Sequence, residues 1–335
     1  RIDDAATVAA VDGSVAGQGW ATGTTVVRID APDAVAAVDV RGGGPGTRET
    51  DLLDPSNTVQ TAHAIVLTGG SAFGLAAADG VMAGLEQSGR GLAMDQNGRV
   101  VPIVPAAVIF DLPVGAWDRR PDAGFGREAL AGAAREFAVG SVGAGSGARA
   151  GVLKGGVGTA SITLTDGPAA GITVGALMVA NPVGAVIDPT TGLPFSATVE
   201  DLAHHGLAAP DSAEIAHYAE LTMKQTVLNT TIGVVATDAS LDAASVRRVA
   251  MAGHDGLARA IVPAHSPLDG DTIFAVATAD RRPDAVPAVP RGMNPDVAVL
   301  AEVCRVGALV VQRKRATSAS SKYARWMSSI KTCRW

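Results

Sequence analysis

A layered α/β sandwich is the fold this sequence predicts, on three observations. Short apolar runs rich in Val and Ile recur along the chain, each bounded by Gly, Pro or Asp, as strands buried on both faces do. Between them lie segments whose apolar residues fall on one helical face only. The interior must also close with small side chains, because aromatics make up 4% of the chain against 40 glycines, and closely approaching backbones suit packed layers.

In chain order, "TTVVRI" (24–29) and "AIVLTGG" (64–70) read as the first buried strands. Ser71 then caps a helix carrying Phe73, Ala77, Val81 and Leu85 at helical spacing. "VVPIVPAAVIFDL" (100–112), "ITVGALMVAN" (172–181) and "TTIGVVATD" (230–238) are the next strands. Ser240 or Asp242 opens a second helix with Val246, Val249, Ala250, Leu257 and Ile261 on one face, and "DTIFAVATAD" (271–280) is the last strand. Both helices contain glycine (Gly74, Gly80, Gly84; Gly253, Gly256), each costing about 1 kcal/mol relative to Ala. Close packing on a sheet is the expected compensation.

The 335 residues carry no fixed-period repeat and no long Pro- or Ser-rich linker, which favours one domain. Hydrophobic residues at 47% and charged residues at 18% place the chain far from disorder. No apolar run reaches the roughly 18 residues of a membrane span, so no membrane partner is expected. The start lacks Met and any export pattern and reads as truncated or processed. Two cysteines near the end, Cys304 and Cys333, supply neither a disulfide framework nor a zinc quartet, and a cytoplasmic location fits them. Six histidines show no metal-ligand spacing, so neither metal nor cofactor is expected.

Two glycine-rich stretches are candidate sites. "VGAGSGARAG" (142–151), with Asp166 further on, loosely matches a dinucleotide fingerprint, and a nucleotide-binding protein using glycines 142–158 is one alternative. That fingerprint must open a helix, whereas here glycine recurs through Gly158, and neither Ser nor Thr follows Lys154. The other stretch, "LTGGSAFGLAAADGV" (67–81), reads as a strand, a turn and a helix start whose Gly70 and Ser71 N–H groups face an oxyanion, or simply as a compact connection. No Gly-x-Ser-x-Gly elbow and no folded Cys–His pair appears.

Asn229-Thr230 opens a third possibility. A hydroxyl residue can attack its own preceding carbonyl, shift the acyl group from N to O, and emerge after hydrolysis as a new N-terminus. Its α-amine, with a pKa of roughly 7.7–8.0, then serves as base to its own hydroxyl. Asn181 ends a strand with an amide able to donate to an oxyanion. Asp269 and Asp271, two apart entering a strand, can share a face and orient the new amine; Asp-Gly-Asp is equally an ordinary turn with a cap.

Taken with "RGGGPGTRETDLLDP", "VPIVPAAVIFDLPVG", "VGAGSGARAGVLKGGVGTAS", "NPVGAVIDP", "NTTIGVVATDA" and "HDGLARAIVPAHSPLDGDTIFAVAT", these residues resemble the self-processing L-aminopeptidase/D-esterase family, which also contains β-peptidyl aminopeptidases and the nylon-oligomer endo-hydrolase. The likeness covers roughly residues 20 to 303 and is greatest to the actinobacterial-type members. It implies an α+β fold, a four-layer αββα sandwich similar to N-terminal-nucleophile (Ntn) hydrolases but differently connected. It further implies a precursor cut between Asn229 and Thr230 into chains 1–229 and 230–335 that stay together, with higher homo-oligomers. By the same resemblance Thr230 is the nucleophile, Asn181 the oxyanion donor, Asp269 and Asp271 the pair behind the nucleophile, and Lys154 the catalytic lysine. Small peptides, amino-acid amides or esters are the implied substrates. Two departures stand out: the nylon-oligomer enzyme has its Lys where this chain has Val152, and the aminopeptidases use Ser in place of Thr230.

The tail differs. The family continues after Val303 as an Ala-rich apolar helix, whereas residues 304–335 hold both cysteines, two of the four tryptophans and no acid. Eight Lys/Arg lie there, leaving 19 basic against 33 acidic residues, a balance of −14, in the rest of a chain whose net charge is −6. The hydrolase domain is thus expected over 1–303. An altered reading frame or a wrong terminus is the expected reading of the tail, and a basic arm for nucleic acid or acidic lipid around Arg313-Lys314-Arg315 is its rival. An inactive or unprocessed relative is the remaining alternative.

Overall fold

The computed structural model describes residues 4–11, 19–32, 34–151, 153–195, 197, 199–204, 208–222, 229–281, 290 and 292–312. Its strands are β1 (Asp4–Val11), β2 (Ala21–Arg28), β3 (Val35–Val40), β4 (Thr47–Arg48), β5 (Ala64–Thr68), β6 (Leu92–Ala93), β7 (Val100–Val101), β8 (Ala106–Val108), β9 (Arg149–Ala150), β10 (Leu153–Lys154), β11 (Gly156–Thr163), β12 (Thr173–Ala180), β13 (Ile232–Ala239) and β14 (Thr272–Arg281). The helices are α1 (Ala77–Gln87), α2 (Ala123–Ala131), α3 (Val199–His204), α4 (Ser212–Thr222), α5 (Ala243–Ala260) and α6 (297–312).

Two five-stranded sheets form, in the orders β1-β2-β5-β8-β4 and β11-β12-β13-β14-β3. Only β5–β8 and β13–β14 pair in parallel within them. The apolar runs are continuous because alternate residues serve different cores. Ile232, Val234 and Ala236 of β13 and Phe274 and Val276 of β14 join Val27, Ile65 and Leu67 between the sheets. Val235, Ile273 and Ala275 instead pack against Val246, Val249 and Leu257 of α5 and Val303, Val306 and Val310 of α6. On the other side, Val26, Ala64 and Val66 pack under Val81 and Leu85 of α1 and Leu130 of α2. Three cores separate four layers, and the fold is an α+β, αββα sandwich.

Asp242 caps α5, its carboxylate accepting the Ser245 N–H at 2.8 Å. Gly256 within α5 meets a helix, not a sheet: a Cβ there would stand 2.2 Å from the Ala308 carbonyl of α6. The expected boundary at Val303 falls inside α6, whose Val306, Val310 and Val311 are buried. The Arg313-Lys314-Arg315 cluster and Cys333 lie outside the described residues. Among those described, no helix is long and apolar enough to cross a membrane.

The structure differs from expectation at five places. Run 100–112 yields only β7 and β8, because Pro102 and Pro105 remove ladder donors between them. Ser71 does not cap a helix: it has φ +52, a 3-10 turn spans Ser71–Ala76, α1 starts at Ala77, and Phe73 is exposed. The strands β1 and β3, rich in Ala, and β11, which begins inside the glycine-rich stretch, were not anticipated.

Phe274, fully buried between the sheets, is the largest side chain of that core. Phe274→Ala should lower stability by about 3–5 kcal/mol, read as a shift in the urea unfolding midpoint by circular dichroism.

Candidate active site

The central strands of the second sheet carry the expected residues to one end. β12 runs antiparallel to β13 with Val179 opposite Ile232, and β13 runs parallel to β14 with Ile232 opposite Thr272. Asn181 just after β12, Thr230 just before β13 and Asp271 just before β14 therefore converge. β3 ends at Val40 opposite Thr272, which adds the loop beginning at Arg41.

Thr230 is 5% exposed. Its N–H donates to the Asn181 main-chain carbonyl at 2.7 Å, extending the β12–β13 ladder beyond the strands. Its Oγ1 donates to the Asn229 carbonyl oxygen at 2.6 Å, so the hydroxyl sits against the carbonyl that precedes it. The Asn229 side chain donates to the Pro182 carbonyl at 3.0 Å and fixes the approach of the junction.

Asn181 is buried, and the Arg149 N–H, donating to its Oδ1 at 2.8 Å, sets which way the amide faces. Its Nδ2 makes one long hydrogen bond, 3.4 Å, to the Phe110 carbonyl. A primary amide has two N–H donors, and this contact engages one of them weakly.

Asp269 and Asp271 are each 1% exposed but serve different segments. Asp271 accepts the Thr231 N–H at 2.8 Å on Oδ1 and His265 on Oδ2. Asp269 accepts the Val183 N–H at 3.1 Å and the Ser266 N–H at 3.3 Å. Burial holds the Asp269 carboxyl above the usual carboxylate range, and the adjacent Asp271 charge adds to that. Gly42 backs the pair: a Cβ there would lie 2.3 Å from the Asp271 nitrogen and 2.4 Å from the Asp269 carbonyl.

Three other candidates fare differently. Gly70 donates its N–H to Asp111 at 2.7 Å, and Ser71 donates to the Ile109 carbonyl at 3.0 Å. Both donors expected at an oxyanion are thus engaged within the protein, tying β5 to the chain beyond β8. Lys154 is exposed and stands opposite Arg149 across the β9–β10 hairpin, one strand from the residue that orients Asn181. The glycine-rich stretch opens no long helix: Gly143–Gly145 is a single 3-10 turn that leads into the β9–β10 hairpin, so the nucleotide fingerprint lacks its anion-binding helix end. Among the described residues no cluster of His, Cys, Asp and Glu is arranged to hold a metal ion.

Sequence matching extends over residues 1–319 to peptidase family S58. The chain belongs to that family. A Mycobacterium tuberculosis protein named as an uncharacterized aminopeptidase is 55% identical over 291 residues, 86% of this chain and 82% of that protein. The 6-aminohexanoate-oligomer endohydrolase of a Kocuria species is 32% identical over 278 residues, 81% of this chain and 73% of its own. In fold, the S58 chain is similar to the L-aminopeptidase D-Ala-esterase/amidase of Ochrobactrum anthropi, described as a variant of the Ntn-hydrolase fold. That match has a TM-score of 0.65 at 18% identity and covers 95% of this chain and 84% of that one. The family expected from the motifs is therefore the family found, and the chain is an S58 hydrolase of Ntn-type fold.

Sequence reasoning missed the Arg149 N–H and the Phe110 carbonyl, whose contribution is main-chain and leaves no residue-type signal. His265 stands four and six residues ahead of the aspartates, but no residue-type pattern ties a histidine there to a carboxylate.

Asp111, 2% exposed, is pushed up to about 6 from 3.8, first by burial. Its folded value lies above its unfolded one, so the stability it contributes is complete below about pH 4 and lost as pH rises through about 6. Asp111→Asn keeps an acceptor for Gly70 and removes this loss. The stability of the variant relative to the parent should rise by up to about 3 kcal/mol between pH 4 and 7.5, measured by urea unfolding at both values.

Proposed function

We propose that this S58 hydrolase cuts itself between Asn229 and Thr230 and then uses Thr230 as an N-terminal nucleophile on small peptides, amino-acid amides or esters. The observation that carries this reading is the buried hydroxyl of Thr230, 2.6 Å from the carbonyl oxygen of its own scissile bond. Oγ1 attacks the Asn229 carbonyl carbon, the C–N bond breaks, and the acyl group passes to oxygen as an ester. Water cleaves that ester, leaving a carboxylate on Asn229 and a free α-amine on Thr230.

The amine then takes the hydroxyl proton as Oγ1 attacks the substrate carbonyl. Nδ2 of Asn181 donates to the oxyanion, its direction set by the Arg149 N–H on Oδ1. The leaving group departs with the proton, and water frees the acyl-enzyme. Asp271 holds the chain just after the nucleophile through Thr231, and Asp269 holds the chain just after Asn181 through Val183. Lys154 supplies positive charge on the same hairpin as Arg149.

Cleavage leaves the two pieces interleaved. β13 and β14 belong to the second piece and are paired between β12 and β3 of the first, so separation would open both ladders and two cores. The relatives' printed names, aminopeptidase and 6-aminohexanoate-oligomer endohydrolase, support amide bonds as the substrate class.

Purified protein should give two denatured masses, the smaller starting at Thr230 by N-terminal sequencing. Thr230→Ala should stay whole and lose hydrolysis of an amino-acid p-nitroanilide; whole protein at all times, or activity in that variant, would exclude the reading. In a protein that still processes, Asn181→Ala should lower kcat by about 10²–10³-fold, as loss of one oxyanion donor does.

A further inference from the structure

His265 has no part in the chemistry above, yet its backbone and side chain converge on one catalytic-site carboxylate. Its main-chain N–H lies 3.1 Å and its ring Nδ1 2.9 Å from Asp271 Oδ2. A main-chain N–H can only donate, and the ring nitrogen completes the clamp as a second donor to a carboxylate. The other oxygen of the same carboxylate takes the Thr231 N–H at 2.8 Å. One carboxylate therefore spans from His265 to the residue bonded to Thr230.

The surroundings hold this histidine in place. Its φ is +57, in the left-handed region that is uncommon for residues with a Cβ and is found disproportionately at functional sites. Its ring packs edge to face on His254, centroids 4.8 Å apart and planes at 72°. His254, on α5, is wholly buried, and its Nε2 lies 2.9 Å from the Asp39 carbonyl of β3. A carbonyl only accepts, so Nε2 carries the proton and Nδ1 is bare; burial pushes the pKa down to about 4 and keeps this ring neutral. Neither His254 Nδ1 nor His265 Nε2 has a hydrogen-bond partner among the described residues. The two rings brace each other by packing and do not pass a proton between them.

We propose that His265 is a positioning residue for the nucleophile, its two N–H groups locking Asp271 so that Oδ1 holds the Thr231 N–H and keeps Thr230 aimed at the carbonyl it attacks. The role rests on the reading of Thr230 as nucleophile. Freed of the ring donor, the Asp271 carboxylate loses a partner for a buried oxygen and turns to find another. The register of Thr230 against Asn181 loosens with it. Substrate binding is left nearly unchanged, because the hydrogen bonds of His265 go to Asp271 and not to Thr230 or Asn181.

Two variants test this without disturbing the backbone, since Asn and Gly are the residues most at ease at this φ. His265→Asn keeps an N–H donor near the position of Nδ1, and His265→Gly removes it. With an amino-acid p-nitroanilide, His265→Gly should lower kcat at least tenfold with KM within twofold of the parent. His265→Asn should restore kcat to within threefold. A kcat for His265→Gly within twofold of the parent overturns the proposal, as does an Asn variant as impaired as the Gly variant. Thr230→Ala run alongside separates the two readings: surviving hydrolysis there faults the nucleophile assignment, whatever His265 does.

Discussion

Parallel pairing of β13 with β14, Ile232 opposite Thr272, is the constraint on which the site depends. Parallel neighbours start at the same end of a sheet, so residues that precede them in sequence meet in space although some forty positions separate Thr230 from Asp271. Antiparallel β12 then ends where β13 begins and delivers Asn181 to the same place. The hydrogen bond from Thr230 to the Asn181 carbonyl is one more rung of that ladder. A slip of one residue in either register would turn Thr230 to the other face of the sheet and separate it from Asn181.

Such convergence carries a cost in buried charge. Asp269 and Asp271 share a site with little solvent, and burial first, then the Asp271 charge, raises the proton affinity of Asp269. Main-chain donors offset this: Val183, Ser266, Thr231 and His265 all point N–H groups at the pair. Because those donors come from three separate segments, the carboxylates also tie the segments together. The glycine at position 42 lets the Arg41 loop close over them from behind.

The layered construction would hold the two pieces of the proposed cut at Asn229 together. Each central strand is buried on both faces and paired on both edges, so the segments on either side of Asn229 are held independently of the peptide bond between them. α5 and α6 cover the outer face, and the close approach of their backbones at Gly256 and Ala308 makes the second helical layer one unit. That layer includes residues 304–312.

Much was legible in one dimension. Continuous Val/Ile runs specify strands buried twice over, and one-sided helices specify the outer layers; together these leave few architectures other than a sandwich. Asn229-Thr230, Asn181 and the Asp-Gly-Asp stand out because their residue types are chemically specific. What was not legible depends on backbone placed by distant partners. β1 and β3 are Ala-rich and take strand form because a neighbour offers a ladder, and β11 does so despite its glycines. Gly70 and Ser71 looked like free donors until Asp111 and Ile109 met them. The sequence by itself determined which side chains are candidates for the proposed chemistry. Tertiary structure alone decided their register, the main-chain groups that aim Asn181, and the histidine behind Asp271, because hydrogen bonds between remote backbones leave no trace in the order of residues.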